Sequence, residues 1–156
     1  TIDPKFARAY YYRGLIYANK GEYDAAITDF NKAVAINASY PEALNNRGSV
    51  HAMKKQYDQA IADYNKAINI DPNYAQAYHG RGTAYYKKGL YDKALKDYNK
   101  AIFINQNFAE AYYGRGAVYF KSGDYNKALA DFVKACDMGS EVACKNVGRS
   151  VSKGNH

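Results

Sequence analysis

The chain has 156 residues, with 22 Lys and Arg against 15 Asp and Glu, and its formal charge of +7 favours acidic over basic partners. Its longest apolar runs, such as 33–36 and 101–104, are four residues, far short of the ~20 that a membrane-crossing helix needs. The excess charge gathers at Lys87, Lys88, Lys93, Lys96 and Lys100 and in residues 143–156; spread over several helix faces with no nucleic-acid motif beside it, it disfavours a nucleic-acid partner.

In chain order, residues 1–6 read Thr-Ile-Asp-Pro-Lys-Phe and repeat the close of a later segment, 69–74. The chain is therefore expected to begin inside an array, as the remnant of an upstream repeat in a longer protein. Four segments follow, 7–40, 41–74, 75–108 and 109–142, which align without a gap on a 34-residue period. A unit that short cannot bury its own apolar face and must stack on copies of itself.

Numbering each unit from 1 to 34, phase 8 is Gly14, Gly48, Gly82 and Gly116, phase 20 is Ala26, Ala60, Ala94 and Ala128, and phase 27 is Ala33, Ala67, Ala101 and Ala135. Rings recur between them, at phase 24 as Phe30, Tyr64, Tyr98 and Phe132 and at phase 11 as Tyr17, Tyr85 and Tyr119, with His51 replacing a packing tyrosine. Phases 4, 8 and 11 share one helix face and phases 20, 24 and 27 share another, so each unit is predicted to be a helical hairpin. Gly21, Gly89 and Gly123 mark the end of each first helix, where a left-handed cap suits glycine. Lys55 stands at that place in the second unit, and an altered turn is expected there because a non-glycine costs about 1 kcal/mol in the left-handed region. Pro41 fits the first position of a helix. Beyond the fourth unit, 141–153 is predicted to form a capping helix, with Val147 and Val151 packed inward and Lys145, Arg149, Ser152 and Lys153 outward.

Four such units in register resemble the tetratricopeptide repeat over essentially the whole chain. The resemblance implies an all-α fold: a right-handed superhelical solenoid of tandem helix-turn-helix repeats, with 143–156 as capping helix and tail. It implies a protein-interaction scaffold whose concave groove is lined by phases 2, 5, 9, 12 and 13, with phase 6 contributing. Carried onto this chain, those positions give Tyr11, Asn45, Asn46, Ser49, Met53, His79, Thr83, Tyr86, Lys87, Tyr113 and Phe120 as candidate binding residues, beside Leu15, Asn19, Ala117 and Lys121. The set varies between units while the packing phases do not. Its amides and hydroxyls suit a peptide backbone and its rings suit apolar side chains, so the expected ligand is a protein or peptide segment, acidic or carrying aromatic groups.

The family's carboxylate clamp for chaperone tails is matched here only by Asn46, because Tyr11, Leu15, Gln76 and Gly80 hold its other positions. The asparagine ladder at phase 6 is likewise replaced by Tyr12, Asn46, Gly80 and Gly114. Neither specialised groove is expected.

Arg occupies phase 7 (Arg13, Arg47, Arg81, Arg115) and Asp occupies phase 23 (Asp29, Asp63, Asp97, Asp131) in every unit. An arginine at a packing phase needs a partner. Arg149, at phase 7 of a fifth incomplete unit, suggests that each Asp pairs with the following unit's Arg: Asp29–Arg47, Asp63–Arg81, Asp97–Arg115 and Asp131–Arg149.

No enzyme activity, metal or cofactor is expected. His51, His79 and His156 have no carboxylate or cysteine at metal-ligand spacing, and the Gly-Arg-Gly triplets at 80–82 and 114–116 lie within helices with no preceding strand. Cys136 and Cys144 resemble the cysteine pairs of cysteine-rich relatives of this repeat, which cross-link neighbouring helices in exported bacterial proteins; two buried thiols in a cytosolic protein are the other reading, and both stay open. Two further readings compete with the peptide scaffold. One is a self-assembling homo-oligomer, and the other is the targeting arm of a larger enzyme.

Overall fold

The computed structural model describes residues 4–154, and among these every regular element is a helix. They are α1 (Pro4–Asn19), α2 (Tyr23–Ile36), α3 (Pro41–Met53), α4 (Tyr57–Ile70), α5 (Ala75–Lys87), α6 (Tyr91–Ile104), α7 (Ala109–Lys121), α8 (Tyr125–Asp137) and α9 (Glu141–Gly154). Thr1, Ile2, Asp3, Asn155 and His156 lie outside the described residues, so the expectations placed on 1–3 and on His156 are untouched. The helices form four antiparallel hairpins, α1–α2, α3–α4, α5–α6 and α7–α8, each packed on the next, with α9 closing the stack against α8. The first helices also touch one another in the order α1, α3, α5, α7, and so make one continuous row. This is an all-α helical-repeat solenoid.

Backbones approach because the contact residues are small. The alanines at phases 20 and 27 are fully buried in all four hairpins, and the phase 24 rings Phe30, Tyr64, Tyr98 and Phe132 are at most 3% exposed. Each such ring contributes on the order of 1.5–3 kcal/mol by leaving water. The ring lies across the phase 8 glycine of its own hairpin: a Cβ on Gly14 would stand 2.8 Å from Phe30, and one on Gly116 would stand 2.9 Å from Phe132. Tyr64 and Tyr98 reach further. A Cβ on Gly80 of the next hairpin would lie 2.5 Å from Tyr64 Cζ, and one on Gly114 would lie 2.6 Å from Tyr98. The glycines at 80 and 114, where the family's ladder has asparagine, thus make room for the larger ring behind them.

The turn after each first helix has one geometry. In each, the amide three residues beyond the end of the helix closes back on it, as from Glu22 to Tyr17 at 2.9 Å, Gln56 to His51 at 2.8 Å, Leu90 to Tyr85 at 2.9 Å and Asp124 to Tyr119 at 2.9 Å. Lys55 adopts the same left-handed conformation as its glycine counterparts, with φ of 60°, so the altered turn expected there does not occur. His51 Nδ1 meets Gln56 Oε1 at 2.8 Å across that turn and offsets part of the cost. Between hairpins, the side chains of Asn37, Asp71 and Asn105 accept the amides of Ser39, Asn73 and Asn107, which sets three equivalent turns.

Three further features were not read from the sequence. Helix α1 starts at Pro4, three residues before the position at which α5 begins, so 4–6 are helical; proline is well tolerated in the first turn. In α9 the fully buried residues are Ala143 and Ser150, Val147 is partly buried and Val151 is 45% exposed, and Ser150 closes its hydroxyl on the Asn146 carbonyl at 3.2 Å. The third concerns the ion pairs. Each Asp binds the Arg of its own hairpin through two hydrogen bonds: Arg13–Asp29 (2.5 and 2.9 Å), Arg47–Asp63 (2.7 and 2.5 Å), Arg81–Asp97 (2.8 and 2.7 Å) and Arg115–Asp131 (2.8 and 2.7 Å). Antiparallel pairing sets phase 7 beside phase 23 within a hairpin, and Arg115 therefore already holds Asp131. The bridge to the preceding hairpin runs through Asn: the third guanidinium nitrogen donates to Asn31 from Arg47 (2.6 Å), to Asn65 from Arg81 (2.5 Å) and to Asn99 from Arg115 (2.6 Å). A second ladder links Lys54 to Asp24 and Lys88 to Asp58.

Cys136 and Cys144 are joined by a disulfide that ties the end of α8 to α9, with Cα atoms 4.7 Å apart.

Candidate ligand groove

The exposed side of the first-helix row carries two adjoining clefts. One, of about 380 Å³, lies between α3 and α5 and is lined by Asn45, Asn46, Ser49 and Met53 from α3 and by Gln76, His79, Thr83 and Lys87 from α5, with Tyr57, Tyr64 and Phe108 among the walls. The other, of about 450 Å³, lies between α5 and α7 and is lined by His79, Thr83, Tyr86 and Lys87 with Glu110, Tyr113 and Ala117. His79, Thr83 and Lys87 face both, so α5 is the ridge between them.

The candidates do not all sit alike. Nine of the eleven line a cleft, while Tyr11 and Phe120 line neither. Tyr11 stacks on Tyr40 at 5.0 Å and Phe30 at 6.1 Å, and its hydroxyl accepts a 3.0 Å hydrogen bond from Asn46. Phe120 packs between Tyr125 and Phe132. Thr83 also serves the fold. The Thr83 hydroxyl meets Tyr98 Oη at 3.1 Å, and Ser49, at the same phase, lines the first cleft together with Tyr64. Burial pushes Tyr98 up to about 12, and Tyr64 shifts in the same direction for the same reason. Where phase 24 is Phe, phase 9 is Leu15 or Ala117, with no hydroxyl to offer. Gln76 and Glu110 were not among the candidates, although their place at phase 2 of the repeat marks them as groove positions.

Electrostatically the floor is mixed. Burial holds the His79 imidazole below its ordinary 6.5, with Glu110 opposing part of that shift. His79 is thus neutral at pH 7, a donor on one ring nitrogen and an acceptor on the other. Its ring packs on Phe108 at 5.1 Å and Tyr98 at 5.8 Å. Lys87 is exposed at the rim, its Nζ 6.0 Å from the Tyr86 ring centroid. Among the described residues no cluster of His, Cys, Asp and Glu is arranged to hold a metal ion, and no helix is long and apolar enough to cross a membrane.

The chain belongs to the tetratricopeptide-repeat family: the family's "TPR repeat" model matches residues 14–55, 53–89 and 82–123, and its "Tetratricopeptide repeat" model matches 109–138. Among solved structures, a crystal structure of MamA protein is similar at 25% identity, with TM-score 0.81, over 97% of this chain and 84% of that one. A second MamA structure is 30% identical, with TM-score 0.78, over 90% and 82%. The first TPR of Spaghetti (RPAP3), bound to the HSP90 peptide SRMEEVD, is 26% identical, with TM-score 0.75, over 78% and 96%. No curated protein sequence matches the chain significantly.

Proposed function

We propose that this chain is a protein-interaction scaffold that takes an extended segment of a partner along the row α3, α5 and α7. The observation that supports this best is the pair of adjoining clefts sharing the α5 ridge. Packed helices lie about 8–10 Å apart, so the two clefts together cover about 20 Å, which an extended chain crosses in about six residues. Asn45 and Gln76 supply amides for a peptide backbone, and Tyr86 and Tyr113 supply rings for apolar side chains, each ring braced from behind by Tyr91 or Phe132. Lys87 adds one cation, which favours an acidic residue in the segment.

The Spaghetti domain holds a peptide on a similar fold, which supports peptide capture in general. A chaperone tail is not the proposed ligand, because Tyr11, Leu15, Gln76 and Gly80 stand where the family's clamp has its cations and an asparagine, and none of the four carries a positive charge for the terminal carboxylate. The test is a random peptide library selected on the full chain, with Tyr86→Ala and Tyr113→Ala as controls. The expected result is binders weakened at least about tenfold by either change, equivalent to about 1.4 kcal/mol. Binders indifferent to both would overturn the groove assignment.

A further inference from the structure

A third cleft, of about 770 Å³, opens on a different face of α5 and shares no lining residue with the groove; Tyr78, Arg81 and Tyr85 of α5 face Lys93, Lys96, Lys100 and Phe103 of α6 across it. We propose that it is a second binding site, for an acidic protein segment that carries an aromatic or large aliphatic side chain. This goes beyond the groove reading and does not depend on it.

The internal repeats single the cleft out. Phase 19 is Ala25, Gln59, Lys93 and Lys127; phase 22 is Thr28, Ala62, Lys96 and Ala130; phase 29 is Ala35, Asn69, Phe103 and Asp137. Only the third hairpin has lysine at both 19 and 22, with the lysine common to all units at 26 and a ring at 29. Nothing in the hairpin's packing calls for this set, since the other three hairpins adopt the same turn between their two helices and the same Arg–Asp pair without it. Lys93, Lys96, Lys100 and Phe103 fall three, four and three residues apart, so one face of α6 presents all four over about 15 Å.

The chemistry is specific in two ways. Phe103 is 77% exposed, the most exposed large apolar side chain among the described residues, and a ring left in water beside a cleft is a ready apolar anchor. Charge is uncompensated as well: Asp97, the one acid lining the cleft, is bound through both oxygens to Arg81, while Lys93 and Lys100 stand over the Tyr85 and Phe103 rings at 5.5 and 5.1 Å. Carboxylates complement these cations, and an apolar side chain complements the rings between them. A protein segment fits better than a nucleic acid, because a phosphate backbone gains from a cationic track that continues. Here the row thins on both sides to the phase 26 lysine: Gln59 and Ala62 hold phases 19 and 22 in the hairpin before, and in the one after Ala130 holds phase 22 while Lys127 at phase 19 is paired with Asp124 at 2.7 Å.

The test is fluorescence anisotropy of the full chain with a labelled peptide, Glu-Asp-Phe-Asp-Glu-Tyr-Glu-Asp, against its Gln/Asn counterpart and a single-stranded DNA of matched charge. Lys96→Glu/Lys100→Glu and Phe103→Ala are expected to weaken the acidic peptide at least about tenfold each while leaving the thermal melt unchanged, with affinity falling as ionic strength rises from about 0.05 to 0.2 M. Tyr86→Ala/Tyr113→Ala is expected to leave this affinity unaltered, which separates the site from the groove. The proposal is overturned if the peptide fails to bind, if it binds the charge-reversed variant equally well, if the neutral peptide binds as tightly, or if the DNA binds more tightly through the same lysines.

Discussion

At the residue scale, the absence of a side chain decides as much as its presence. Gly80→Ala would drive a methyl to 2.5 Å from Tyr64, and overpacking of that kind costs about 1–3 kcal/mol, so its melting temperature is expected to fall by several degrees. Gly148→Ala at the corresponding phase of α9 meets nothing within 4 Å and is expected to be neutral or slightly stabilising, a helix interior preferring alanine by up to ~1 kcal/mol. His79 makes stability depend on pH. Its folded pKa lies below 6.5, so the unfolded chain takes up the proton first; the stabilisation is full above pH 6.5 and is lost as pH falls through the lower folded value. Denaturant titrations just below pH 6.5 are expected to show that decline in the native chain and a flatter profile in His79→Phe. The sequence carried a clue to these roles that periodicity alone does not read. Hydroxyls at phase 9 accompany tyrosine at phase 24, and glycine at phase 6 follows it one hairpin later, so Thr83 and Gly80 are tied to the packing as well as to the groove.

At the element scale, hairpins are joined by a relay: Arg81 ties Asp97 of its own hairpin to Asn65 of the one before. Asp97 is 4% exposed and Arg81 carries its charge beside it. Removing the carboxylate alone, in Asp97→Ala, strands that guanidinium and is expected to cost about 3–5 kcal/mol, whereas Arg81→Met/Asp97→Leu removes both charges and is expected to recover most of the loss; urea melts of the three chains decide it. The hairpins themselves were legible because small residues recur at one spacing in each helix. The partner of each arginine was not, because a one-dimensional period does not say across which interface a charge reaches. Asparagine at phase 25 held the missing information: Asn31, Asn65 and Asn99 precede Arg47, Arg81 and Arg115, and Val133 precedes Arg149, where the relay ends. The turn at Lys55 misled for a related reason, since the left-handed penalty is local and the closing bonds around it, with His51 on Gln56, outweigh it.

For the whole molecule, stacking lets a repetitive interior carry a non-repetitive surface. One end of the stack is held by Cys136–Cys144, which closes a short loop between α8 and α9. Reduction is expected to remove about 2 kcal/mol and to raise hydrogen exchange in α9 before α3 to α7, because each hairpin rests mainly on its neighbours; uniform loss of protection would mean that the cap holds the whole array. The clefts of the first-helix row are where variation and concavity coincide, and the claim that they receive a partner can be tested by photo-crosslinking. A groove-selected peptide with a benzophenone at its central position, crosslinked to the full chain and mapped by mass spectrometry, is expected to label α3, α5 and α7 at or beside Met53, His79, Tyr86 and Tyr113. Labels falling instead on α4, α6 or α8 would contradict the account.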